Sequence, residues 1–136
     1  MGENSGMPSE DRTVLIVEDS ENIAATLEIA LSRIPRLAVL LASSGSEALR
    51  ILAAHNPAVD VIITDLNMPR MDGFEMIERI RGDQRLRATP IIVVSADTHP
   101  TTPDRMQCMG VAAFFPKPYS PAQVRRKLEQ VLNATS

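Results

Sequence analysis

Five short apolar runs, largely β-branched, punctuate this chain: TVLIV at 13–17, LAVLL at 37–41, VDVIIT at 59–64, IIVV at 91–94 and AAFF at 112–115. Runs this continuous suit strands covered on both faces, as in a parallel sheet between two helix layers. A half-exposed sheet would alternate apolar and polar residues instead.

Between the runs the hydrophobic period becomes helical. Ile23, Leu27, Ala30, Leu31 and Ile34 share one helical face. Ser44-Gly-Ser-Glu47 has the form of a capping box ahead of Leu49 and Leu52. Asp72 and Glu75 open a third helix through Met76, Ile77 and Ile80, and Gly82 can end it. Ser120 as N-cap, Pro121 at the first helical position and Gln123 at the third open the last helix, with Val124, Leu128, Val131 and Leu132 on one face. The fourth helix is irregular. Pro100 and Pro103 lack N–H groups and bias the residues before them away from helix. The spacing predicts a long loop and a short helix from about Thr102 or Pro103 to Met109.

The order is therefore βα repeated five times. Right-handed crossovers and two-sided helix cover favour an α/β, flavodoxin-like doubly wound fold with a five-stranded parallel sheet in the order 2-1-3-4-5. Residues 1–11 are expected to form a flexible polar tail and residues 12–134 the single domain.

Composition narrows the function. Of 136 residues 44% are hydrophobic, too many for a disordered chain. Acidic residues outnumber Lys and Arg 17 to 14, giving a net charge of −3. A chain that coats nucleic acid is usually basic, so direct nucleic-acid binding is not expected. No apolar run approaches the length of a bilayer span, and no signal-peptide core is visible at the start, so membrane association is not expected either. The single cysteine, Cys108, excludes an intrachain disulfide, fits a reducing, cytoplasmic setting and is expected to be a small buried hydrophobe. His55 and His99 are expected to face solvent, Met68 and Met71 to pack within a loop, and Arg79, Arg81, Arg85 and Arg87 to form a solvated face.

Ligands of open α/β sheets sit at the carboxyl ends of the strands. Strand 1 runs into Glu18-Asp19, strand 3 into Asp65, strand 4 into Ser95 and strand 5 into Phe115-Pro116-Lys117. Strands 1 and 3 are neighbours in the expected order, so three carboxylates share one cleft. Two such charges about 4 Å apart repel by roughly 4 kcal/mol at an effective dielectric near 20. Lys117 supplies one counter-charge. A hard divalent cation would supply two more, and an all-oxygen donor set favours Mg2+ over zinc. The same arrangement suits a phosphoryl group: Mg2+ and Lys117 as clamps, Ser95 as a hydroxyl donor, Asp65 as the nucleophile forming an acyl phosphate.

Four segments carry a resemblance: VLIVEDSEN, VIITDLNMPRMDGFEMIERIR, PIIVVSA and AAFFPKPYS. Over residues 12–134 the chain resembles the receiver domain of two-component response regulators. The resemblance implies that Asp65 is the phosphoacceptor, taking its phosphoryl group from a sensor histidine kinase or a histidine phosphotransfer domain. It implies Asp19 as a direct Mg2+ ligand, Glu18 as a ligand through water, and the backbone carbonyl of Asn67 as a third protein ligand. Ser95 is implied to be a switch hydroxyl, Phe114 the aromatic that rotates inward behind it, and Lys117 the cation on the phosphoryl group, with Lys117-Pro118 cis. The Asn67 and Asp97 side chains fall at positions that tune hydrolysis of the acyl phosphate. Such a domain catalyses only its own phosphoryl transfer and dephosphorylation, and acts by binding an output partner that the sequence does not identify. It is either a stand-alone regulator or part of a larger protein.

Two departures from the family pattern stand out. Pro100 and Pro103 fall where a regular fourth helix is usual, and the switch aromatic is Phe where Tyr is common. Three other readings compete. The irregular fourth helix motivates a constitutive interaction module that does not switch. A Mg2+-dependent hydrolase with an aspartyl intermediate would need an Asp where Asn67 stands. A flavin site is disfavoured because the first loop, EDSEN, is acidic where a phosphate needs N–H donors.

Overall fold

The computed structural model describes residues 11–54, 59–67, 73–96 and 99–134. Five strands alternate with five helices: β1 (Arg12–Val17), α1 (Glu21–Leu31), β2 (Leu37–Ala42), α2 (Gly45–Ala54), β3 (Val61–Thr64), α3 (Gly73–Gly82), β4 (Ile91–Ser95), α4 (Thr102–Cys108), β5 (Ala113–Pro116) and α5 (Pro121–Ala134). All pairings are parallel, and the sheet order is β2-β1-β3-β4-β5. The doubly wound architecture expected from the apolar runs is the one observed.

Alternate strand residues supply two cores. Leu15, Val17, Ile62, Ile91 and Val93 pack under α2, α3 and α4 with Ala48, Leu52, Met76, Ile77, Ile80 and Met106. Val14, Ile16, Val61, Ile63, Ile92 and Val94 pack under α1 and α5 with Leu27, Leu31, Val124, Leu128 and Leu132. All four residues of β3 are fully buried, which is why its sequence shows no polar alternation. Each such Val or Ile contributes about 1.5–3 kcal/mol of burial free energy.

Local signals set the helix starts. Ser20 Oγ accepts the Ile23 amide and Ser120 Oγ the Gln123 amide. Ser44 Oγ accepts the Glu47 amide, but Glu47 reaches back to the amide and hydroxyl of Ser43, one residue before the cap. Helix α1 ends at Leu31, short of the predicted Ile34, which still packs against the α1/α5 core. β3 begins two residues later than predicted because the Asp60 side chain and amide bond Thr13. Helix α4 has the predicted extent, less one residue.

Two expectations about side chains are corrected. Cys108 is exposed, because the last turn of α4 buries Met106 and turns Cys108 outward. Arg81 is half-buried and tied down: its guanidinium donates to the carbonyls of Arg87, Thr89, Met109 and Gly110. Arg79, Arg85 and Arg87 are exposed as expected, Arg85 while donating to the Leu52 carbonyl. The expected positions of His55, Met68, Met71, Asp72 and Asp97 lie outside the described residues, and no helix is long and apolar enough to cross a membrane.

Candidate functional site

The parallel ladder carries four side chains to one edge. The Glu18 amide donates to the Ala42 carbonyl, extending the β1–β2 ladder by one residue, and the Asp65 amide donates to the Val17 carbonyl, extending β1–β3. Ser95 closes β4, and its carbonyl accepts the Lys117 amide across the β4–β5 pair. Backbone pairing therefore holds Glu18, Asp65, Ser95 and Lys117 side by side.

Carboxylate oxygens of Glu18, Asp19 and Asp65 all lie within 4.8 Å of one another. Glu18 and Asp65 are buried, at 6% and 5% exposure, while Asp19 is open to solvent. Lys117 Nζ lies 3.1 Å from Glu18 Oε1 and 3.1 Å from Asp65 Oδ2. The other oxygens are also held: Ser20 N–H donates to Glu18 Oε2 and Asn67 N–H to Asp65 Oδ1. Asn67 Nδ2 donates to Ser95 Oγ at 3.4 Å, and Ser95 is fully buried.

Burial pushes the Glu18 carboxyl up; its bonds from Ser20 and Lys117 pull it down without cancelling that effect. Burial pulls Lys117 down, but hydrogen bonds and charge from Asp65 and Glu18 outweigh it, so the ammonium is held above its ordinary range. Among the described residues three carboxylates against one ammonium leave two negative charges, the deficit that one divalent ion fills. The donor set is all oxygen, which fits Mg2+ in hardness. Asn67 sits beside this set, with its amide on Asp65. Phe114 is half-buried and packs against the core under α2, α3 and α4, and the Lys117-Pro118 peptide is cis.

The structure adds two features that the sequence reading passed over. Gly73 opens α3 pressed on the backbone after Asp65: its amide donates to the Leu66 carbonyl, and a Cβ there would lie 2.5 Å from the Asp65 carbonyl oxygen. The Asp-Gly pair that ends the DLNMPRMDG segment was the available signal. Tyr119 is the chain's one tyrosine. With Asn22, Ile23, Thr26, Lys117 and Pro118 it lines a groove of about 500 Å3 between α1 and the β5–α5 loop. Burial raises its phenol, and the nearby Glu18 charge raises it further.

A doubly wound α/β sheet with an acidic, lysine-closed cleft at its carboxyl edge defines the class. The family model described as the response regulator receiver domain matches residues 14–129, and the chain belongs to that family. It is 34% identical over 119 residues to the chemotaxis protein CheY1 of Helicobacter pylori, covering 88% of this chain and 95% of that one. Identity is also 34% to the two-component response regulator ORR11 of Oryza sativa, over 88% of this chain and 80% of the relative. Among solved structures, chemotaxis response regulator CheY4 of Vibrio cholerae is similar with a TM-score of 0.78, 30% identity, and coverage of 89% and 98%. The receiver domain of a Syntrophus aciditrophicus signal transduction histidine kinase gives 0.82 at 29% identity, with 92% of each chain covered. The chain is therefore a CheY-like receiver domain of two-component signalling.

Proposed function

We propose that this domain is a phosphorylation-controlled switch in which Asp65 accepts a phosphoryl group from the phosphohistidine of a sensor histidine kinase or phosphotransfer domain. The observation that carries this reading is the paired contact of Lys117 Nζ with Asp65 and Glu18 at 3.1 Å inside a buried anionic cleft. Asp65 attacks phosphorus, the P–N bond to histidine breaks, and the acyl phosphate gains about one further negative charge. Lys117 balances part of that charge, in a site dry enough for its field to matter.

Asp19 and Asp65 would hold Mg2+ directly, with the Asn67 carbonyl as a further ligand and Glu18 through water. The ion supplies charge neutralisation for the phosphoryl oxygens. Ser95 turns its hydroxyl from Asn67 to a phosphoryl oxygen, and Phe114 fills the vacated space, shifting the loop after β4. Ligand and modification thus act as a population shift between two packings. The side chains of Asn67 and Asp97 govern access of water to the acyl phosphate, so the only reactions catalysed are the domain's own phosphorylation and dephosphorylation. A phosphodonor helix would cover the apolar groove beside Lys117 and Tyr119.

Transfer from a radiolabelled histidine phosphotransfer domain tests the reading. Label should move to this chain and stay behind in Asp65→Asn. Label that moves equally to the variant contradicts it. Ser95→Ala should still accept label yet show a smaller beryllofluoride-induced NMR shift at Phe114. An undiminished shift rejects the coupling.

A further inference from the structure

Strand β2 lies at one edge of the sheet. The carbonyls of Arg36 and Ala42 accept the amides of Arg12 and Glu18. By the two-residue period of a strand, Ala38 and Leu40 also face β1, and the N–H and C=O groups of Leu37, Val39 and Leu41 point away from the sheet. Among the described residues these six groups have no partner. The opposite edge is protected: β5 is four residues long and ends on Pro116. β2 has six residues, LAVLLA, with neither charge nor proline to discourage pairing.

Apolar side chains mark the same edge. The large hydrophobic residues exposed among the described ones are Ile29, at 71%, and Leu41, at 44%. Leu41 is on the strand. Ile29 follows Ala25 by one turn on α1, and Ala25, Glu28 and Leu41 line a groove of about 360 Å3 between α1 and β2. Charge along the edge is polar. The groove at the carboxyl end holds Asp19, Glu21, Glu28 and Glu47, whereas Arg33 and Arg36 stand exposed at the amino end, where Asp11 pairs with Arg36 at 3.1 Å and leaves Arg33 as the charge that faces outward.

We propose that this edge pairs with β2 of a second copy of the chain, antiparallel, about a two-fold axis at Val39. In that register Val39 faces Val39 of the second copy and Leu37 faces its Leu41, so the outward groups form six hydrogen bonds. A two-fold interface of this kind is self-complementary and closed. The charge pattern selects the direction: antiparallel pairing brings the arginine end of each copy to the acidic groove of the other, while parallel pairing would set like ends together. Leu41 and Ile29 lose solvent contact, and the two α1 helices run antiparallel across the axis. The pairing does not depend on the phosphoryl chemistry proposed for Asp65.

Sedimentation equilibrium of the full chain, without phosphodonor, tests this. The protein should self-associate to a dimer, more weakly at high salt. Hydrogen exchange at the Leu37, Val39 and Leu41 amides should slow as concentration rises. Leu41→Lys should raise the dissociation constant at least tenfold without lowering the melting temperature of the dilute protein. Ile29→Lys, at a side chain 71% exposed, should weaken it in the same direction. A monomer at every concentration overturns the proposal, as does a dimer indifferent to both substitutions. Full protection of the three amides in dilute monomer also overturns it, since a segment of the same chain would then cover the edge.

Discussion

Replacing Lys117 by Met removes the cation that, among the described residues, faces two buried carboxylates. The side chains of Lys117, Glu18 and Asp65 are 17%, 3% and 6% exposed, so water does little to screen them. At 3.1 Å and an effective dielectric near 20, each contact is worth about 5 kcal/mol of gross attraction. Most of that is offset by desolvation of the ammonium, which disappears along with it. Removing one partner from a buried pair costs about 3–5 kcal/mol, because the remaining charge is left uncompensated. For a domain of this size that is a fall in melting temperature of about 10–20 °C.

The loss should depend on conditions in a way that a packing defect would not. Burial raises the Glu18 carboxyl, so the folded state binds its proton more tightly than the unfolded chain does. Glu18 therefore favours folding more at acid pH, and that contribution fades as pH rises through the window above its ordinary value. In Lys117→Met the unrelieved pair makes this window wider, so the deficit should shrink on going from about pH 7 to about pH 5. Millimolar Mg2+ should shrink it too. Circular dichroism melts at both pH values, with chelator and with Mg2+, make the comparison. A deficit that is the same in all four conditions would refute the electrostatic account.

Three further predictions follow from separate contacts. Gly73→Ala forces a Cβ to within 2.6 Å of Leu66 Cα; it should cost at least about 1–3 kcal/mol by denaturant titration, and an unchanged midpoint would contradict the close approach. Arg81→Ala removes donors from four loop carbonyls, and should speed amide exchange in the Met109–Val111 segment while leaving β3 protected. Equal acceleration in β3 would mean global unfolding instead. The Tyr119 phenol, raised by burial and by the Glu18 charge, should titrate lower in Glu18→Gln and in Mg2+, read by tyrosinate absorbance. An immobile titration would show that Tyr119 does not sense the cleft.

The strands were legible because a strand buried on both faces writes itself as an apolar run; the runs at 59–64 and 91–94 locate β3 and β4, though β3 starts two residues later, past Asp60, and β4 extends one residue further, to Ser95. Caps were legible where Ser stands three residues ahead of its target amide, as at Ser44 and Ser120. The acidic cleft followed from topology: once β1 and β3 are adjacent, Glu18 and Asp65 have to meet. Other features were hidden because they depend on long-range contacts. Nothing near Arg81 in sequence announces that Met109 and Gly110 will come within reach of its guanidinium. Arg105 likewise sits over the Phe74 ring, 3.5 Å from its centroid, through the packing of α3 against α4. Cys108 was misplaced because a seven-residue helix has too few turns to fix its buried face from periodicity.

Intact-mass spectrometry of the chain incubated with acetyl phosphate measures the central claim most directly. With Mg2+ present the mass should rise by one phosphoryl group, fragment spectra should place it on Asp65, and chelator should suppress it. No adduct, or an adduct that survives in Asp65→Asn, would contradict the account.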